Sequence, residues 1–506
     1  MNGRLKTVRV ACKPRWNTII RMDCLLVAKR GWSYAAPGRR ISDCGRAKAD
    51  CNSLTTREYT RAPPLELGGD GMRFFGGESH SANASTVWIV IITALVTLLG
   101  VLIALNLTPG EKQVKRQIGH LYSIRDPQFQ RTLGVMLGPV ILPGNRFEVL
   151  LNGDEIFPSM LQAIRGARRT ISFETYIYWS GQIGKDFADA LAERAHAGVK
   201  VHVLIDWVGS SKMEKQYLTA MDDAGVEVRK FHEPRWYNLS KLNNRTHRKL
   251  LIVDGATGFT GGVGIADEWT GHAQDPEHWR DTHFKIDGPV VAQMQAVFSD
   301  NWVKATGVVL HGGDYFPPIA PAGDGAAQMF ASSPSGGSES MELMYLLIIN
   351  GAARTIDLSA AYFVPDEIAR DAIVAALKRG VRVRIITPGP HTDSETGRRA
   401  SRALWGDLLA AGAEIYEYQP TMYHCKVLVV DELLVSVGST NFDDRSFRLN
   451  DEASLNIYDE KFARQQVQIF ERDLAQSKPI TLEAWRSRPF AEKIWEYAAA
   501  LLGPQL

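Results

Sequence analysis

Two stretches of this chain, about 180 residues apart, run through the same order of elements, and repetition at that length means two similar halves. Arg169-Thr170-Ile171-Ser172-Phe173 is matched by Arg354-Thr355-Ile356-Asp357-Leu358. A helix-length stretch then closes at Ala195-His196-Ala197-Gly198 in one half and at Ala376-Leu377-Lys378-Arg379-Gly380 in the other. Each glycine falls where a left-handed residue ends a helix. The alternating runs Val199–Ile205 and Val381–Ile386 follow. Strand, helix, strand in each half predicts α/β units with mixed or parallel pairing, related by a pseudo-two-fold axis.

The same chemistry closes each repeat. His247-Arg248-Lys249 is followed by Leu250–Val253 and Asp254, and His424-Cys425-Lys426 by Val427–Val430 and Asp431. In a strand, residues i and i+2 share a face, so His and Lys of each copy project together. Asp254 and Asp431 have the opposite parity and fall at the strand end, where they order the site rather than touch substrate. One His-x-Lys pair could be a solvated strand edge. Two, at the same place in a repeat and each with Asp at the same offset, point to one shared active site. Six residues further lie Gly261-Gly262-Val263-Gly264 and Gly438-Ser439-Thr440-Asn441. Gly261 and Gly262 permit close backbone approach to a ligand, and Ser439 and Asn441 are apt donors to phosphate oxygens.

These motifs resemble the phospholipase D superfamily signature H-x-K-x4-D-x6-G-S-x-N. The second copy fits in full; in the first, Gly262 stands for Ser and Gly264 for Asn. Asn244–Lys249, Trp279–His283, Tyr362–Asp366, Leu449–Glu452 and Gly153–Pro158 are similar to bacterial cardiolipin synthases, over about residues 147–458. The resemblance implies two phospholipase D-like α/β/α domains and a two-step displacement at phosphorus. One His attacks to give a phosphohistidine, the other protonates the leaving alkoxide, and Lys249 and Lys426 neutralise the phosphate. Each His needs an acceptor on its other nitrogen. Glu452 resembles the family residue in that role for His424, and the repeat makes Asp281 its counterpart for His247. Taken alone, each acid also reads as an ordinary surface carboxylate, Asp281 more so than Glu452. No metal or other cofactor is called for, and His272, His278 and His283 lack a ligand spacing.

The implied reaction makes cardiolipin from phosphatidylglycerol. Hydrolysis to phosphatidic acid is the alternative, followed by a phosphodiesterase or nuclease and by a weakly catalytic lipid-binding scaffold. Trp207, Trp236, Tyr237 and Trp269 fit a lipid entry path or core packing equally.

Val87–Leu105 carries no charge and spans roughly 29 Å as a helix, about one hydrocarbon core. It reads as an uncleaved signal anchor, because Ala104-Leu105-Asn106 is a poor cleavage site. Lys112, Lys115, Arg116 and Arg125 follow it and only Arg73 lies near on the other side, which places the catalytic bulk in the cytoplasm of a single-pass inner-membrane protein. A net charge of +2 gives no bulk field for nucleic acid, and none is expected as a partner. Four of five cysteines lie between Cys12 and Cys51, so the remainder is no disulfide scaffold. The expected organisation is a disordered segment 1–86, the transmembrane helix 87–107, a linker 108–145, domain 1 over 146–311, a linker 312–338 and domain 2 over 339–506. Met72 is a candidate natural start.

Overall fold

A computed structural model of the 506-residue chain describes residues 84–107, 114, 116–234, 243–334 and 340–505. The expectations for the N-terminal segment and its cysteines, for Met72, and for Trp236 and Tyr237 fall outside the described residues.

Ala84–Leu107 forms one helix. Within it Ser85–Leu105 is long and apolar enough to cross a membrane, with a mean hydropathy of 2.8. Among the described residues, nothing buries it.

Both halves are built around three parallel strands. In the first half these are Thr170–Thr175, Lys200–Asp206 and Glu227–Phe231. In the second they are Thr355–Ala360, Arg382–Pro388 and Glu414–Tyr418, with Ser477–Ile480 added antiparallel at the edge. The helices between the first two strands of each half end at Gly198 and Gly380, with φ of +85° and +88°, as their positions in the repeat predict.

Inward from each parallel set lies an antiparallel set that includes the motif strand. Leu250–Val253, Thr257–Gly261, Thr282–Asp287 and Leu142–Leu151 stand side by side in the first half. Lys426–Val430, Leu434–Gly438, Asn450–Tyr458 and Gly325–Ser332 do so in the second. Leu142–Leu151 also pairs with Gly325–Ser332, so one sixteen-stranded mixed sheet runs through both halves and the pseudo-two-fold sits at that junction.

The stretch 312–338 is therefore more than the linker read from sequence. Its strand Gly325–Ser332 is paired on both sides, with 142–151 and with 450–458. A strand covered on both faces need not alternate, and Gly-Ala-Ala-Gln-Met-Phe-Ala-Ser gives no period-2 signal. The stretch 108–145 likewise includes the helix Pro127–Leu137. Asp126 caps it through Gln128 N, and Phe129, Leu133 and Leu137 pack into the second half's core.

The three largest apolar clusters among the described residues hold the layers. Ile156, Phe157, Phe187 and Leu191 cover one face of the first half's strands. Met344, Ile348, Ile373 and Leu408 do the same for the second. A third core belongs to both halves: Met294, Phe298 and Trp302 of helix Val291–Thr306 join Met329, Val437, Leu455 and Phe462. Helices on both faces of the sheet complete the α/β/α arrangement.

Candidate active site

The two motif segments meet because each is hydrogen-bonded to the opposite half. Arg245–Thr246 pairs in parallel with Asn450–Asp451, and His247 N donates to Asp451 O at 2.9 Å. Arg280 bridges in parallel to Tyr423, and His424 N donates to Arg280 O at 2.8 Å. Each histidine thus lies beside the other half's acid. His247 Nδ1 is 3.0 and 3.1 Å from the two oxygens of Glu452, and His424 Nδ1 is 2.7 Å from Asp281 Oδ2.

This reverses the pairing read from sequence, which gave Glu452 to His424 and Asp281 to His247. Both acids were identified, but offset along the chain cannot show that the motif strands cross. A carboxylate only accepts, so each Nδ1 carries the hydrogen, and in the neutral ring Nε2 keeps its lone pair.

His247, Lys249, His424, Asn441, Trp269 and Tyr362 line a cavity of about 330 Å³. Lys249 Nζ donates to His247 O at 2.8 Å. Lys426 Nζ donates to His424 O at 2.9 Å and lies 3.1 Å from His424 Nε2.

Burial pushes His247 down to about 4, with Lys249 and Lys426 adding to it and Glu452 opposing. Burial, then Lys426, lowers His424 against the pull of Asp281. Both shifts favour the neutral imidazole over the imidazolium. Burial and the neighbouring Lys426 bring Lys249 down to about 7. Burial also lowers Lys426. Burial favours protonated Asp281 and Glu452, yet His424 and Lys426 hold Asp281, and His247, Lys249 and Ser439 hold Glu452, below their ordinary values. A phosphate diester beside Lys249 and Lys426 would favour the charged form of both amines.

Asp254 and Asp431 do not line the cavity. Asp254 accepts from the backbone N–H of Arg168, Arg169 and Thr170, and Asp431 from those of Ala353, Arg354 and Thr355. Each ties its motif strand to the start of the adjacent parallel strand.

Of the four phosphate-binding candidates, only Asn441 lines the cavity. Ser439 is fully buried and donates to Glu452 Oε2 at 2.5 Å, holding the acid from behind. Gly261 and Gly262 lie at the equivalent place. A Cβ on Gly262 would sit 2.2 Å from Asp281 Oδ1, so no serine fits there. The indole of Trp269 takes over that function, donating to Asp281 Oδ2 at 2.9 Å and lying edge-on to His424 with ring centres 5.2 Å apart. Of the four aromatics proposed for a lipid path, Trp269 is buried on the cavity wall, while Trp207 is partly exposed and does not line it.

Two arginines escaped the sequence reading. Arg248, buried between His247 and Lys249, donates to Glu452 O and Ser332 O. Arg280 donates to both oxygens of Asp473 and to Asp281 O. Nothing in the sequence distinguishes a buried arginine from a surface one except its place beside a motif residue.

The family described as cardiolipin synthase, phospholipase D-like domain matches residues 160–302 and 345–474, one segment in each half. A cardiolipin synthase 2 of Bacillus anthracis is 36% identical over 71% of this chain and 70% of its own length. A cardiolipin synthase of Geobacillus sp. (strain WCH70) is 37% identical over 71% of this chain and 72% of its own. The chain belongs to the phospholipase D-like cardiolipin synthase family. The two matched segments of this family member place one His-x-Lys-x4-Asp motif each. The fold is shared with the crystal structure of phosphatidylserine synthase from Haemophilus influenzae Rd KW20, at a TM-score of 0.57 and 15% identity, over 75% of this chain and all of that one.

Proposed function

We propose that this protein is a membrane-anchored phosphatidyltransferase that makes cardiolipin from phosphatidylglycerol through a covalent phosphohistidine. The observation that carries the reading is the pair of imidazoles on one cavity, each with Nδ1 held by a buried carboxylate of the opposite half.

Nε2 of one histidine attacks the phosphorus of a first phosphatidylglycerol. The bond from phosphorus to the headgroup glycerol oxygen breaks as the N–P bond forms. The second histidine, protonated on Nε2 from solvent before the attack, gives that proton to the departing alkoxide, and glycerol leaves. That histidine then takes a proton from the headgroup hydroxyl of a second phosphatidylglycerol, whose oxygen displaces Nε2 from phosphorus. Two phosphatidylglycerols become one cardiolipin and one glycerol. Lys249, Lys426 and Asn441 bear the phosphoryl oxygens, while Asp281 and Glu452 fix the histidine tautomers. Water in place of the second lipid gives hydrolysis by the same site.

The anchor keeps the cavity with its bilayer substrates. The excess of Lys and Arg after the apolar helix supports a single-pass topology with the catalytic halves in the cytoplasm of an inner-membrane protein. Incubating the purified full chain with phosphatidylglycerol vesicles and identifying products by mass spectrometry tests the reaction. Cardiolipin and glycerol in equal amounts are expected; phosphatidic acid alone establishes hydrolysis instead, and no lipid product overturns the reading.

A further inference from the structure

The helix Phe490–Ala500 near the C-terminus is turned inside out. Its buried side carries Glu496, only 2% exposed, which accepts from Arg402 Nε at 2.9 Å and from Arg488 Nε at 2.7 Å. Its outer side carries Phe490, Ile494, Trp495 and Tyr497, and the turn after it adds Leu501 and Leu502, all at least 51% exposed. At 3.6 residues per turn these six, continued in helical phase, cover an uninterrupted arc of roughly 160° with no charge in it. The two ion pairs of Glu496 fix the helix's rotation, so the apolar arc cannot turn inward without leaving a carboxylate unpaired.

We propose that this face beds into the interfacial layer of the phospholipid bilayer and forms a second membrane contact, beyond the N-terminal apolar helix and beyond the transfer reaction itself. Three observations select the bilayer as occupant. An apolar arc of this width with exposed Trp and Tyr has the composition of a helix lying in the headgroup region, where aromatic rings keep one edge wet. The chain already carries the apolar segment Ser85–Leu105, so even a weak contact is made at high local concentration. The helix also runs directly into the catalytic cavity's rim. Gly503–Gln505 follows it, Gln505 lines the cavity, and Gln505 O accepts from Arg445 Nε at 2.9 Å. Bedding this helix in the interface brings the cavity mouth to the depth at which lipid phosphates lie.

The test places an environment-sensitive dye on Ile494→Cys in the full chain. Cys12, Cys24, Cys44 and Cys51 are replaced by serine; Cys425 is buried and does not label. Leu501→Cys serves as a second site, in case one dye disturbs packing. The protein is reconstituted in phosphatidylglycerol–phosphatidylcholine vesicles and exposed to spin-labelled lipid or to aqueous iodide. Strong quenching by the lipid label at both sites, with several-fold protection from iodide relative to free dye, is expected. Full iodide access without lipid quenching overturns the proposal. Protection from both quenchers, with a dimer in light scattering, also overturns it and assigns the face to a second copy. The readout needs no turnover, so a chain inactive on phosphatidylglycerol would refute the proposed reaction and leave this contact separately decided.

Discussion

At the scale of single residues, Asp281 and Glu452 occupy equivalent places but are braced differently. Glu452 leans on the Ser439 hydroxyl, and Asp281 on the Trp269 indole, because Gly262 leaves no room for a side chain. A hydrogen bond to a charged group contributes about 1.5–3 kcal/mol. Trp269→Phe keeps most of the packing and removes only the N–H. We expect kcat to fall about tenfold with KM within about twofold, because the bond orients a reacting group rather than binding substrate. In imidazole NMR spectra the His424 Nδ1–H signal should move and that of His247 should stay. An unchanged kcat with an unmoved His424 signal would remove Trp269 from the positioning role. Lys249 makes a prediction about pH. Burial brings it to about 7, and an anionic substrate favours its charged form. Apparent affinity for phosphatidylglycerol should therefore weaken as pH rises through that value and be fully present below it. Arginine stays charged over this range. In Lys249→Arg, a plot of KM between about pH 6 and 9 should lose the rise near neutrality, even though turnover drops. Identical profiles for both proteins would mean that another group sets the limb.

At the scale of elements, the motif aspartates connect strands rather than touch substrate. Asp431 takes up three N–H groups at the start of Thr355–Ala360, and Asp254 does the same for Thr170–Thr175. Asp431→Asn keeps the shape but turns an amide toward those donors. It should cost about 1–3 kcal/mol of stability, seen as a lowered Tm. Well below the melting range kcat should remain within about threefold of the parent. A folded variant with collapsed turnover would give the aspartate a direct part in chemistry. The repeat, the parallel strands and the motif residues were legible because each rests on local pattern: alternation, a glycine past a helix, a fixed spacing. The crossed acids were not, because their partners are set by the pairing of Arg245–Thr246 with Asn450–Asp451 and of Arg280 with Tyr423, about 140 residues or more away in sequence. Gly325–Ser332 escaped for a different reason: burial on both faces erases the alternation that marks a strand. Helix Phe490–Ala500 shows a third limit. Its apolar arc is readable by period, but an apolar arc ordinarily means core, and only the buried Glu496 shows that here it faces outward.

At the scale of the whole molecule, the two halves are one folding unit. The sheet passes between them at Leu142–Leu151 and Gly325–Ser332, and the core around Met294, Met329 and Leu455 has no owner on either side. Arg248 reaches from the first motif to Glu452 O, and Arg280 from the first half to the buried Asp473. Breaking a buried pair of the latter kind leaves an uncompensated charge and costs about 3–5 kcal/mol, so the halves should not part even when the chain between them is cut. The exposed Gly312-Gly313 turn is the place to cut, since backbone there is open to solvent and a protease site can be inserted without entering a strand. After cleavage of the purified full-length protein, both fragments should co-elute and turnover should persist, because neither His–carboxylate pair lies within one fragment: His247 needs Glu452, and His424 needs Asp281. Separating the fragments in denaturant should abolish activity in each, and remixing on refolding should restore it. Activity in an isolated fragment would mean that one half carries a complete site of its own, and the crossed geometry would then have no part in catalysis.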